Sequence, residues 1–150
     1  MNGQPTDASW KEFPAQLDHY DEMLSHVMEI AETCGVPMKR QMKLQLGFEE
    51  AVVNIISYAY LGQEPGKLWI RAWREDGSFI MELKDGGSQF NPLLKEDALE
   101  EKPKSLEDAK IGGLGIAFMR RIFNEISYNY KKEDDGLFYN HLTLYLDISA

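Results

Sequence analysis

From Leu46 to Tyr60 the chain is apolar nearly all the way round a helix. Such a helix is stable only when other layers cover it. Inside this stretch sit two polar residues four positions apart, Glu50 and Asn54, in the run Phe48-Glu49-Glu50-Ala51-Val52-Val53-Asn54-Ile55-Ile56. That spacing puts them on one face. An asparagine within Val-Val-Asn-Ile-Ile is a poor helix former whose amide needs partners once buried. A Mg²⁺ ion reached through the amide oxygen would be such a partner, and Glu50 one turn away is placed to accept a proton from an attacking hydroxyl. The alternative is structural: Asn54 caps a backbone kink and Glu50 faces solvent.

The chain of 150 residues, 43% apolar, suits one compact domain around this helix. From Leu17 to Thr33, the residues Leu17, Tyr20, Leu24, Val27, Met28 and Ala31 recur at helical spacing until Gly35 and Pro37 break the pattern. Pro37 suits the first position of the next helix, which runs to about Tyr60 before Gly62, Pro65 and Gly66. Lys67 to Arg74 and Ser78 to Lys84 read as strands joined by a hairpin at Asp76-Gly77. Gly113 to Phe123 reads as a third helix, followed by strands near Glu125 to Lys131 and Leu137 to Ile148. Trp10 to Phe13 is a further edge strand. Paired strands interleaved with helices predict an α+β fold, a mixed sheet with helices on one face.

Two further motifs bear on chemistry. Lys84-Asp85-Gly86-Gly87-Ser88-Gln89-Phe90-Asn91-Pro92 stands where an apolar strand ends. An aspartate there can accept a hydrogen bond from an adenine amino group, and a glycine two residues on lets the base approach the backbone. Asp-Gly-Gly also makes ordinary turns. Gly112-Gly113-Leu114-Gly115-Ile116 opens the third helix, where free N–H groups and the helix dipole favour an anion. A hinge would use the same glycines.

The three motifs in this order resemble the N, G1 and G2 boxes of the GHKL ATPases, and the chain's length resembles the RsbW-like anti-sigma serine kinases among them. The resemblance runs from the first helix to the last strand and includes Glu-Ala-Val-Val-Asn-Ile-Ile-Ser-Tyr-Ala-Tyr. It implies a single histidine-kinase-like domain over residues 1–150 with a two-layer, Bergerat-type ATP-binding fold. ATP and Mg²⁺ would be the cofactors. Glu50 would be the catalytic carboxylate, Asn54 the metal ligand, and Asp85 with Gly87 and Phe90 the adenine pocket. Gly112, Gly113, Leu114 and Gly115 would hold phosphates, and residues 91–110 would form a lid.

This chain has Tyr58 where RsbW-like kinases often carry histidine, and Ile111 where some members place an arginine for the γ-phosphate. Lys110 would act there as a point charge without the arginine fork. A last-strand threonine near the adenine has two counterparts here, Asn140 and Thr143. The implied activity is transfer of the γ-phosphate to a serine or threonine of an anti-sigma factor antagonist. Other implied partners are a sigma factor or similar regulator and a second copy of the chain. Two alternatives are a nucleotide-binding, partner-switching module without phosphotransfer and an ATPase subdomain whose remainder lies elsewhere.

Charge and composition limit the partners. A net charge of -9 repels a nucleic-acid backbone. No stretch approaches the roughly 18 apolar residues of a membrane span, and Met1 to Ser9 lacks a basic and apolar leader pattern. The expectation is therefore a cytoplasmic protein without membrane partners. The lone Cys34 reads as a packing residue. His19, His26 and His141 are scattered against metal-ligand spacing, and the first two are expected at a surface or partner contact.

Overall fold

A computed structural model describes residues 8–94 and 113–149. Lys110, Gly112 and the 95–110 part of the expected lid lie outside the described residues. Strand β1 (Lys11–Pro14) leads through a 3₁₀ turn (Leu17–His19) into α1 (Tyr20–Thr33) and α2 (Met38–Asn54). A π-helical turn (Ile55–Ala59) extends α2. Strands β2 (Lys67–Glu75) and β3 (Ser78–Asp85), helix α3 (Gly113–Ile122), then β4 (Glu125–Lys132) and β5 (Phe138–Asp147) complete the order.

The strands form one sheet in the order β1-β2-β3-β5-β4. The two layers and the one-sided helical cover agree with the expected fold, but the sheet is not mixed. Each neighbouring pair is antiparallel. The cause is topological: β3 and β4 run in the same direction across the α3 connection, and β5 inserts between them. Trp10 to Phe13 does supply the edge strand, shifted to Lys11–Pro14.

Alternation in the strands sends Leu68, Ile70, Phe79, Met81, Leu83, Leu142, Leu144 and Leu146 into the core. There they meet Met23, Val27 and Ala31 of α1 and Leu44, Phe48, Ala51 and Val52 of α2. Leu17 of the predicted apolar stripe is half exposed in the 3₁₀ turn, while Met23 replaces it in the core. Pro37 is the N-cap of α2 rather than its first residue, with an extended ψ of 144°. The β2–β3 hairpin closes on Asp76 and Gly77, with Asp76 in the left-handed region at φ 53°.

The other sheet face is polar. Glu82 accepts hydrogen bonds from Arg71, and His141 lies between Glu82 (2.9 Å) and Glu133 (3.0 Å). Burial alone would raise the Glu82 carboxyl, but His141 and Arg71 outweigh it and hold the group below its usual range. The Arg71 guanidinium stacks 4.3 Å from the Trp10 ring centre. His26, expected at a surface or partner contact, is partly exposed, with its ring packed on Phe13 and its Nε2 buried.

Candidate functional site

Helix α2 carries the first motif and touches the elements that carry the other two. At Gly47 a Cβ would lie 2.5 Å from Phe123 at the end of α3, so α3 seats directly on the α2 backbone. At the far end, the Ala59 carbonyl accepts a hydrogen bond from Ser88 N at 2.7 Å. Glu50 and Asn54 fall between these two contacts along one helix.

Asn54 sits where α-helix becomes π-helix, and it is 3% exposed. Its Nδ2 donates to the Glu50 carbonyl at 2.8 Å. A carbonyl only accepts, so Nδ2 must face it and Oδ1 must face away. That Oδ1 is buried with no hydrogen-bond partner among the described residues. The amide nitrogen is thus used within the helix, while the oxygen is uncommitted among the described residues. A buried polar atom left without a partner costs about 1–3 kcal/mol, and an amide oxygen is a ligand that Mg²⁺ accepts. The residue fits the metal on this ground.

Glu50 is half-buried rather than facing solvent. Burial first, and the neighbouring Glu49 charge second, push its carboxyl above the usual range. A carboxylate raised in this way is a better proton acceptor than an exposed one.

Asp85 ends β3 and is 2% exposed. Its Oδ1 accepts from Gly87 N and from Asn140 Nδ2, both at 2.9 Å. Both bonds fall on one oxygen, which leaves Oδ2 with its acceptor capacity. Burial raises the Asp85 carboxyl to about 6, against the lowering effect of Asn140 and Gly87. Gly87 is also required by packing. A Cβ there would lie 2.3 Å from the Ala59 carbonyl oxygen, so the missing side chain serves the contact with α2.

Of the two last-strand candidates, the ladder places Asn140 opposite Asp85 and Thr143 opposite Glu82 on the polar face. Asn140 has no capacity left. Its Nδ2 donates to Asp85 and to the Ser88 carbonyl, and its Oδ1 accepts from Phe90 N and the Tyr128 hydroxyl. It is a bracket that fixes Asp85 and the following loop. Phe90 is held by this bond and stacks on Tyr58 at 5.2 Å. Sequence reasoning missed Tyr60, whose hydroxyl accepts from Gly86 N (2.9 Å) and donates to the Lys67 carbonyl (2.7 Å).

Gly113, Leu114 and Gly115 form the first turn of α3, as the glycine-rich helix start predicts. Gly112 and Lys110 fall outside the described residues. Among the described residues the arrangement offers a fixed acceptor at Asp85, a raised carboxylate at Glu50, an uncommitted amide oxygen at Asn54 and a helix start at Gly113, whose first-turn N–H groups have no partner within the helix.

Residues 13–145 match the family described as the histidine kinase-like ATPase domain. The serine/threonine-protein kinase BtrW of Bordetella bronchiseptica is 31% identical over 102 residues, spanning 67% of this chain and 66%, just under two thirds, of BtrW. The serine-protein kinase RsbW of Listeria innocua is 20% identical over 128 residues, 84% of this chain and 80% of RsbW. In fold, the chain is similar to one in the crystal structure of the SiaB–SiaC complex from Pseudomonas aeruginosa. The TM-score is 0.61 at 16% identity, covering 92% of this chain and 89% of that one.

Proposed function

The chain belongs to the histidine kinase-like ATPase family, and from that premise we propose that it is an ATP-dependent protein serine/threonine kinase acting on a small antagonist protein. The observation that carries the reading is the pair on α2: a half-buried Glu50 with a raised carboxyl, one turn from an Asn54 oxygen that is buried and uncommitted. Adenine would hydrogen-bond Asp85 Oδ2, and phosphates would lie toward the α3 start at Gly113 and Gly115. Bound through Asn54, Mg²⁺ would supply charge neutralisation to the phosphates.

Glu50 would take the proton of the acceptor hydroxyl as that oxygen attacks the γ-phosphorus and the bond to ADP breaks. Most of the rate gain in such transfers comes from positioning and electrostatics. The bracket Asn140-Asp85-Gly87 and the Tyr60 clamp provide positioning by holding the nucleotide loop against the π turn. The relatives named as serine kinases support this activity. Sequestration of a sigma factor or similar regulator, a homodimer and a cytoplasmic location complete the proposal. Among the described residues, no helix is long and apolar enough to cross a membrane.

Transfer of label from γ-labelled ATP to an antagonist protein tests it. Glu50→Gln should cut the rate by at least about a hundredfold with ATP affinity unchanged. Equal rates in the two proteins would sink the kinase reading. Ile111, in place of an arginine, favours the second reading, a partner-switching module that binds nucleotide without transfer.

A further inference from the structure

The ridge of helix α2 that carries Glu50 continues past the nucleotide site toward the start of the helix. Met38, Met42 and Leu46 follow one another four residues apart and are 83%, 72% and 40% exposed. The next residue on this ridge is Glu50, so an apolar track about 18 Å long runs down the helix to the proposed base. Exposed methionines in a row make an adaptable apolar surface rather than a solvated one.

The charges around the track point to what covers it. Residues 38–46 contain Lys39, Arg40 and Lys43 and no acidic residue, in a chain with 16 basic and 25 acidic residues. The neighbouring helix α3, seated at Gly47, ends with exposed Arg120 and Arg121. Cations in the opening turns of a helix oppose its dipole and lower its stability. A locally basic, apolar strip that works against its own helix in an acidic protein is best matched by an acidic partner.

We propose that the Met38–Met42–Leu46 track is the docking surface for an acidic amphipathic helix of the hydroxyl-bearing partner protein, which it guides to Glu50. The mode is helix against apolar track, with anchors at i and i+4 and acidic flanks over Lys39 and Lys43. Charge at the rim sets which partner is accepted and how fast it arrives. The partner's identity as substrate rests on the kinase reading, whereas the docking chemistry does not.

The test uses the full chain with ATP and Mg²⁺ and two synthetic helical peptides with the same leucine seam, one flanked by glutamate and the other by lysine. By fluorescence anisotropy the acidic peptide should bind, more weakly as salt rises, and the lysine twin should not. Met42→Glu and the double change Lys39→Glu with Lys43→Glu should each weaken binding by about tenfold or more, with circular dichroism and ATP affinity unchanged. Equal binding of both peptides, no binding of either, or indifference to Met42→Glu would overturn the proposal. So would a dimer in sedimentation that Met42→Glu dissolves, because the track would then seat a second copy. Loss of ATP binding alone, with peptide binding intact, would remove the kinase reading and leave the docking surface standing.

Discussion

Asp85 is held by two hydrogen bonds to one oxygen and is almost wholly buried. Its folded pKa of about 6 exceeds the ordinary 3.8, so the folded state binds the proton more tightly than the unfolded state. The sign follows: this residue's contribution is favourable below about pH 4, is lost as pH rises through about 6, and is a cost at pH 7. Asp85→Asn should therefore raise thermal stability at pH 7, by up to about 3 kcal/mol, with the gain vanishing near pH 4. The same change should abolish ATP binding, and wild-type affinity should fall as the pH drops through about 6. Melting curves at the two pH values with calorimetric ATP titrations check both halves, and a less stable Asp85→Asn would show that the carboxylate is not strained. Asn54 was legible in the sequence because it is polar where its neighbours are apolar, and Asp85 because it stands where an apolar strand ends before two glycines. Asn140 was not legible as a bracket, since its partners lie 12 to 55 positions away and meet only in the fold. Gly87 was legible as a necessary glycine but not as a seat for the Ala59 carbonyl.

At the scale of elements, the placing of α3 depends on a single missing side chain. Alanine at an ordinary helical glycine stabilises by about 1 kcal/mol, but a Cβ at Gly47 would sit 2.5 Å from Phe123. Gly47→Ala should instead destabilise by about 1–3 kcal/mol through overpacking. It should also weaken ATP binding, because α3 carries Gly113 and Gly115 at its start. Chemical denaturation of the two proteins checks the first effect; a stabilised variant would mean that α3 moves aside without cost. Periodicity made α1, α2 and the two hairpin strands legible, since alternation and helical spacing are local. The π turn was hidden, because Ile55–Ala59 carries the same apolar residues an α-helix would. So was the all-antiparallel sheet, because the insertion of β5 between β3 and β4 is a choice of topology that no single strand encodes.

Across the whole molecule, charge and site pull in opposite directions. The net charge of -9 repels an anionic nucleotide at long range, while Asp85 and the α3 start act only at contact. The basic residues that could offset this include Lys39 and Lys43, which lie beside the proposed docking track. On the proposed docking, the molecule would meet an acidic protein readily and take its nucleotide against a mild field. Salt shortens the reach of that field from about 30 Å at 0.01 M to about 8 Å at 0.15 M. The association rate of Mg²⁺-bound ATP should therefore rise, roughly twofold, across this range, the reverse of the dependence for the acidic peptide. Stopped-flow measurement with a fluorescent ATP analogue checks it. A rate that falls with salt would mean that the basic residues and the helix start govern the approach of both ligands, and that the overall charge does not reach the site.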